Sequence, residues 1–188
     1  MRYSTTHKEQ TRQKLVESSG AIAKQGGFSA TGVAGLMKAI GLTGGAFYNH
    51  FPSKDDLFTE VVRHELSNSQ IGLCTRHGAL SREKLERCLD QYLNMAHLRN
   101  PEHGCAIPAL GAEVARAAQP VREEAEHWLR ALQEVWSQTL DDPQLAWALL
   151  CQCVGALVVA RMLAHETSQE EVLQASRGFL AKALHPAP

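Results

Sequence analysis

Residues 31–51 read TGVAGLMKAIGLTGGAFYNHF, and this stretch decides the fold of the first part of the chain. Apolar residues recur in it at helical spacing: Val33, Leu36, Met37 and Ile40. The spacing predicts a helix that Thr31 caps and Gly41 ends, followed by a very short helix that Thr43 caps and that ends near Phe51. Two helices joined by a glycine-containing turn have the layout of a helix-turn-helix unit.

The two faces of this unit differ in chemistry. We expect these residues to face inward: Val33, Leu36, Ile40, Leu42, Phe47 and Phe51. We expect these to face outward: Thr43, Gly44, Gly45, Tyr48, Asn49 and His50. The outward face has no acidic residue, and its hydroxyls and imidazole, with Lys54, can donate to phosphates. Two glycines let the backbone approach a groove wall, at a cost of about 2 kcal/mol of helix propensity. A helical hairpin that serves only a core would not need this face.

Charge is divided unevenly along the chain. Residues 1–54 carry seven Lys and Arg against two acids, whereas residues 55–188 carry 12 basic and 18 acidic residues. The whole chain has a net charge of −1, which hides a basic head on an acidic body. Such a division predicts a polyanionic partner for the head alone.

Composition predicts an all-α fold. Of the 188 residues, 44% are hydrophobic and only 6% aromatic, and no long stretch alternates as a strand does. We predict about nine helices, the first over residues 8–25. Later helices are predicted to start where capping residues occur: Ser53, Ser81, Gln119–Pro120, Asp142–Pro143 and Ser168 with Glu171. The helix that starts at Ser81 is expected to be a single one that cannot pass Asn100–Pro101.

The chain is expected to be cytoplasmic, with no membrane partner. Residues 1–10 are polar and do not form a signal peptide. The longest apolar run, residues 145–160, contains Gln152, ends against Arg161 and is shorter than the roughly 20 residues of a membrane span. We therefore predict a helix that is buried on nearly all sides.

Residues 12–62 contain the pattern GF, T, V and IGLT.GAFYNHFPSKDDLF. By this pattern the stretch resembles the tetracycline-repressor (TetR) family of transcription regulators, and these residues stand at the family's spacing: Gly27, Phe28, Thr31, Val33, Gly41, Thr43, Gly45, Tyr48, His50, Phe51, Pro52, Ser53 and Lys54. One position departs from the pattern, because Gly44 lies where many relatives carry a Lys or Arg that reaches base edges. Sequence preference is then expected to depend more on Thr43, Asn49 and DNA shape.

The resemblance implies a DNA-binding domain over residues 1–54 and a helical ligand-binding and dimerisation domain over residues 55–188. It implies an all-α homodimer that binds double-stranded palindromic operator DNA, usually as a repressor, and that a small-molecule inducer releases. By the same resemblance the phosphate contacts are Thr31, Thr43, Tyr48, His50 and Lys54, and Gly44, Gly45 and Asn49 approach bases. The last two helices, about 143–165 and 169–184, would form the dimer interface. The small residues Gly155, Ala156 and Ala160 favour close helix contact there.

Five cysteines at irregular spacing, Cys74, Cys88, Cys105, Cys151 and Cys153, do not predict a disulfide framework. Cys105 is expected at a helix start, where the helix dipole lowers a thiol pKa, so it is a candidate redox or electrophile sensor. The other ligand candidates are Trp128, Trp136 and Trp147, for which ordinary packing is the alternative. A different class of function, a small helical thiol enzyme or ligand carrier that uses Cys105 with His103, stays open. We expect no catalytic residue, cofactor or metal.

Overall fold

The computed structural model describes residues 5–69 and 80–185. Nine α-helices lie within these ranges: α1 (Thr5–Gly26), α2 (Val33–Ala39), α3 (Lys54–Ser67), α4 (Arg82–Tyr92), α5 (Met95–Arg99), α6 (Ile107–Arg116), α7 (Gln119–Leu140), α8 (Pro143–Met162) and α9 (Glu166–Leu184). Two 3-10 helices, Gly44–Asn49 and Pro101–His103, complete the order, and the described residues contain no strand. The predicted all-α class is confirmed. Cys74 lies outside the described residues.

Several predicted helix starts are confirmed at atomic detail. The Ser53 side chain accepts a hydrogen bond from the Asp56 amide, and Ser81 accepts one from Lys84. Asp142 accepts from two backbone amides at the start of α8, where Pro143 occupies the first helical position. These bonds satisfy amides that have no partner inside the helix.

Three predicted boundaries are wrong. Gly32, rather than Thr31, caps α2, and α9 begins at Glu166 instead of after Ser168. The single helix expected between Ser81 and Asn100 is two helices, because the Asn94 side chain accepts from the His97 amide and starts a new one. A local capping bond therefore outweighs the apolar periodicity that runs through this region.

The core has two parts. The first joins α1, α2 and α3 to one end of α6 and α7, and Leu15, Leu36, Phe47 and Leu57 are fully buried in it. The second joins α4 and α5 to α7, α8 and α9. Because α6 and α7 contribute to both parts, the N-terminal helices pack directly onto the helical body. The division into domains at residue 54 stays a prediction.

Helix α8 is long and apolar enough, by length and composition alone, to span a membrane. In this fold it packs between α7 and α9 and places Leu149, Cys153 and Leu157 in the second core. At one end of this bundle the Arg82 guanidinium donates to the Leu140 and Leu184 carbonyls, the last residues of α7 and α9. A cation at two helix C-termini satisfies carbonyls that have no intrahelical partner.

Candidate nucleic-acid interface and ligand cavity

The helix-turn-helix geometry predicted from residues 31–51 is present. Gly41 adopts φ +77°, a backbone conformation that glycine allows without strain, and turns the chain between α2 and the 44–49 helix. The following Leu42 amide donates to the Met37 carbonyl and closes the turn. The side chains of Leu36, Phe47 and Phe51 are buried as predicted, but Leu42 is 37% exposed, because it lies in the turn itself.

The exposed side of the 44–49 helix carries Thr43, Gly45, Tyr48 and Asn49. The Thr43 hydroxyl makes no capping bond, so it is available to a ligand. The Tyr48 side chain is 68% exposed and touches Phe47 edge to face, with ring centroids 5.3 Å apart. An aromatic ring held in this way presents its hydroxyl outward from a fixed position.

The two glycines of this helix have different surroundings. A Cβ atom at Gly44 would lie 3.3 Å from the Cα atom of Ala34 in α2, whereas a Cβ atom at Gly45 would meet no atom within 4 Å. Gly44 is therefore required for close packing of the two helices of the unit. Only Gly45 leaves its backbone open toward solvent, as an approach to a DNA groove requires.

Sequence reasoning did not single out two cations of α1. Burial is the largest cause that lowers the pKa of the His50 imidazole, and the nearby cations Lys8 and Arg12 lower it further. The Arg12 guanidinium stacks on the Phe51 ring at 4.4 Å and pairs with Glu60 at 3.1 Å. Both cations were counted in the basic head, but only the tertiary fold brings α1 beside the 44–49 helix.

Lys54 and Thr31, which the family resemblance assigns to phosphate contacts, are both half-buried. The Lys54 Nζ atom lies 3.4 Å from the Ser29 carbonyl oxygen and 4.9 Å from the centre of the Phe28 ring. Thr31 is half-buried, and its amide donates to the Phe28 carbonyl. Both residues therefore contact the loop between α1 and α2.

The same loop is bound from its other side by Glu113 of α6. One carboxylate oxygen accepts from the Phe28 amide at 2.9 Å, and the other accepts from the Ser29 amide and hydroxyl, each at 2.7 Å. Partial burial opposes ionisation, but these hydrogen bonds outweigh it and lower the pKa of Glu113. No role for Glu113 was predicted from the sequence.

A cavity of about 340 Å³ lies between α3, α6, α7 and α8. Its walls are mainly apolar and include Val62, Leu110, Val114, Ala125, Leu129 and Trp147. Arg122, Glu126 and Arg130 stand among the lining residues and are exposed. The volume is at the lower end of the range for small-molecule sites, and the lining suits an apolar ligand.

The three tryptophans have different environments. Trp147 lines the cavity. The Trp128 indole N–H donates to Glu124 at 2.9 Å, and Trp136 is buried in the second core. Of the three predicted ligand contacts, the geometry supports Trp147 alone.

Cys105 lies just before α6, as predicted, but its side chain is completely buried. Burial raises the pKa of the Cys105 thiol and outweighs the opposing effects of the nearby Ile107 amide and Tyr92 hydroxyl. The lowered pKa expected from the helix dipole is therefore wrong for this conformation, because loss of solvation is the larger effect.

The imidazole nearest this segment is that of His97. Its Nδ1 atom bonds the Tyr92 carbonyl at 2.7 Å and its Nε2 atom accepts from the Cys105 amide at 2.9 Å, so both ring nitrogens are occupied. Burial lowers the pKa of His97, which favours this neutral form. His103, the suggested partner of the thiol, is exposed. Within residues 5–69 and 80–185, no three His, Cys, Asp or Glu side chains are grouped to hold a metal.

The other cysteines correct one expectation. Cys105, Cys151 and Cys153 are free thiols, whereas Cys88 is disulfide-bonded. Burial raises the pKa of Cys153 to about 12, whereas Cys151 is exposed on α8.

Comparison with known proteins agrees with this fold. Residues 16–61 match the family model of bacterial regulatory proteins, tetR family. Over 64 residues the chain is 42% identical to the HTH-type transcriptional regulator AcrR of Shigella flexneri, a match that covers 34% of this chain and 29% of AcrR. It is 26% identical to the HTH-type transcriptional repressor NemR of Escherichia coli K12, with coverage of 70% and 68%. The HTH-type transcriptional repressor DhaR of Mycobacterium sp. strain GP1 is 25% identical and is matched over 64% of its length.

Solved structures extend the similarity to nearly the whole chain. The crystal structure of the reduced form of E. coli NemR has a TM-score of 0.77 at 21% identity and covers 92% of this chain and 96% of that one. A TetR regulator from Legionella pneumophila has a TM-score of 0.71 at 18% identity, with coverage of 97% and 98%. At these identities the comparison shows a shared fold.

Proposed function

Because this chain belongs to the TetR family of bacterial regulatory proteins, we propose that it is a transcriptional repressor, one that binds a palindromic operator as a homodimer and is released by a small molecule. The observation that carries this proposal is the exposed, acid-free face of the 44–49 helix beside the cations of α1. Two of the curated relatives, NemR and DhaR, are named as transcriptional repressors.

In the proposed complex, this face enters the major groove. Thr43, Tyr48 and His50 bind phosphates, joined by Lys8 and Arg12, which stand on the same side. Gly45 and Asn49 approach the bases, because they are exposed and Gly45 has open space above it. Gly44 contributes by bringing the unit's two helices together. Thr31 and Lys54 lie at the margin of this surface, where they also brace the loop between α1 and α2.

The proposed dimer joins α8 and α9 to the same helices of a second copy. Their outer surfaces expose Val158, Val159 and Met162 on α8 and Phe179 on α9. Met162 is 79% exposed and Phe179 52% exposed, and both lie on neighbouring helices. Apolar side chains of this size on adjacent helices are typical of a contact surface. A twofold dimer presents two equal heads, which is why a palindromic site is expected.

The proposed inducer occupies the cavity between α3, α6, α7 and α8. The apolar walls favour an apolar molecule, and Trp147 provides a spectroscopic probe of its binding. Helix α6 forms one wall and also holds the loop between α1 and α2 through Glu113. A ligand that displaces α6 would therefore act on the DNA-binding unit.

A second candidate inducer is a soft electrophile that modifies Cys105. The Ile107 amide and the Tyr92 hydroxyl beside the sulfur would stabilise a thiolate once the site opens. In the closed conformation the thiol is buried, so this route requires a local opening of the segment before α6. The rival function, a thiol enzyme, finds less support, because Cys105 is buried whereas His103 is exposed, and the pKa of Cys105 is raised.

The test is DNA binding by the purified full chain. We expect it to select a duplex with two inverted half-sites from a randomised library, with an affinity that falls steeply between about 50 and 200 mM salt. Tyr48→Ala should weaken binding by about tenfold, since a hydrogen bond to a charged phosphate is lost. Arg87→Ala, an exposed cation on α4, is the matched control and should bind as wild type does. Salt-independent binding, or no selected duplex, contradicts the proposal.

A further inference from the structure

Helix α6 has two faces with different contacts. Leu110 and Val114 point into the cavity between α3, α6, α7 and α8. Glu113 leaves the helix on another side and reaches the loop between α1 and α2. One rigid helix of ten residues therefore contacts the candidate ligand site and the helix-turn-helix unit at the same time.

The loop is shaped to receive the Glu113 carboxylate. Its two oxygens accept three hydrogen bonds from Phe28 and Ser29, at 2.7 to 2.9 Å. Gly27 adopts φ +88°, and a Cβ atom there would lie 2.7 Å from the nearer carboxylate oxygen. Glycine at position 27 thus permits both the turn and the close approach of the carboxylate.

The loop that binds Glu113 leads directly into α2 and so fixes the position of its first turn. Ser29 precedes the first residue of α2, Val33, by only four positions. The Phe28 ring stacks on Phe58 of α3, with centroids 4.3 Å apart and an interplanar angle of 11°, which limits rotation of the loop. On its far side the Ser29 carbonyl faces Lys54. Because Glu113, Phe58 and Lys54 hold this loop from three sides, a displacement of α6 moves the loop and the start of α2 with it.

We propose that Glu113 is a positioning residue for DNA binding: its carboxylate fixes the helix-turn-helix unit at the angle to α6 that lets both heads of a dimer meet one operator. This inference deepens the proposed function and rests on it. Shifts of one helix past another in regulatory proteins are typically about 1–2 Å. A shift of that size would break hydrogen bonds of 2.7 to 2.9 Å, because such bonds are lost beyond about 3.5 Å.

The test compares two duplexes, and needs no inducer. The first duplex is the two-half-site sequence that the wild-type chain selects from the randomised library, and the second contains one of its half-sites with the other scrambled. Glu113→Ala should bind the first about 10- to 100-fold more weakly than wild type, because loosely held heads lower the effective concentration of the second contact. Its affinity for the single half-site should stay within about twofold of wild type.

Controls separate positioning from damage to the fold. Glu134→Ala removes a carboxylate that is exposed and bonded to Gln138 on α7, and it should leave both affinities unchanged. Ser29→Ala removes one of the three hydrogen bonds to Glu113, the one from the Ser29 hydroxyl. Its affinity for the two-half-site duplex should therefore fall as well, but by less than that of Glu113→Ala. Circular dichroism should show each variant folded at the assay temperature. If Glu113→Ala is unfolded, the affinities of Ser29→Ala for the two duplexes test the inference instead.

The outcomes are distinct. Equal affinity of both Glu113→Ala and wild type for the two-half-site duplex overturns the inference. Equal weakening on both duplexes also overturns it, because Glu113 would then support only the structure of each head. If wild type selects no duplex at all, the proposed function fails instead.

Discussion

The Nζ atom of Lys24 in α1 lies 2.7 Å from a carboxylate oxygen of Glu65 in α3, and both side chains are almost fully withdrawn from solvent. The Lys24 Nζ atom also lies 3.5 Å from the Gly104 carbonyl, just before α6. Gly20 leaves room for the pair, since a Cβ atom at that position would be 2.2 Å from a Glu65 oxygen. This buried pair therefore joins the N-terminal helix to two elements of the body.

The first prediction is that Lys24→Met destabilises the protein by about 2–4 kcal/mol, because a buried carboxylate is left without its partner. Urea denaturation measures the change. The control is Arg130→Met, which removes an ion pair of the same length, 2.7 Å, with both side chains more than half exposed. The free energy of unfolding of Arg130→Met should fall by less than about 1 kcal/mol. Equal decreases for Lys24→Met and Arg130→Met would contradict the prediction.

Local patterns were sufficient to predict much of the fold. The capping bonds of Ser53, Ser81 and Asp142 involve residues two or three positions apart, so they are visible in the sequence. The turn at Gly41 is equally local. The contacts of Glu113 with Ser29 join residues 84 positions apart, and only tertiary packing brings them together. The cations of α1 near His50 were missed for the same reason.

The second prediction separates the two glycines of the 44–49 helix. Gly44→Ala should destabilise the fold by about 1–3 kcal/mol, because its Cβ atom meets the α2 backbone at 3.3 Å. Gly45→Ala should leave stability unchanged or raise it by up to about 1 kcal/mol, since the space there is open. DNA binding should nevertheless weaken for Gly45→Ala, because the backbone is kept from the groove. A stable Gly44→Ala variant would show that α2 can move away.

The third prediction concerns acid. Hydrogen bonds from Ser29 and Phe28 lower the pKa of Glu113 in the folded state, against the opposing effect of burial. Arg116 also lowers the pKa of this carboxylate, and Lys54 and Asp55 line the same small depression as Glu113. A group whose folded pKa is lowered contributes stability above its unfolded pKa of about 4.5, and this contribution is lost as the pH falls through the folded pKa.

The free energy of unfolding of wild type should therefore exceed that of Glu113→Gln at about pH 6, and the difference should shrink at about pH 4 and below. Urea denaturation at a series of pH values measures it. A difference that grows as the pH falls would have the opposite sign. It would show that the ionised Glu113 carboxylate does not stabilise the fold.

The fourth prediction ranks the thiols by reactivity. N-ethylmaleimide added at neutral pH to protein diluted to the monomer should modify Cys151 first, because it is exposed in the single chain, on the same face of α8 as Val158 and Met162. Cys105 and Cys153 should react at least about tenfold more slowly, since both are buried and their pKa values are raised. Peptide mass spectrometry identifies the modified residue over time. Fast modification of Cys105 would show that the segment before α6 opens readily, and would favour the electrophile as inducer.

The last prediction concerns the dimer, where neighbouring residues of α8 have opposite roles. Ala156 and Ala160, which the sequence suggested for the contact between copies, are instead buried in the second core of their own chain. Spacing alone could not decide this, because α8 is apolar on nearly every side. A Cβ atom at Gly155 meets nothing within 4 Å, and the exposed Val158, Val159 and Met162 belong to the same helix.

Gly155→Glu should therefore fold and remain monomeric, since its charge would lie in the proposed contact between copies at a cost of several kcal/mol. Ala156→Glu should fail to fold, because the same charge would enter the core of the chain. Analytical ultracentrifugation gives the mass of the first variant and circular dichroism the state of the second. A Gly155→Glu variant that stays fully dimeric would place the contact elsewhere, because no glutamate could be accommodated in the close helix packing expected at this position. Loss of operator binding by this monomer, with half-site binding retained, would connect the dimer to the palindromic site.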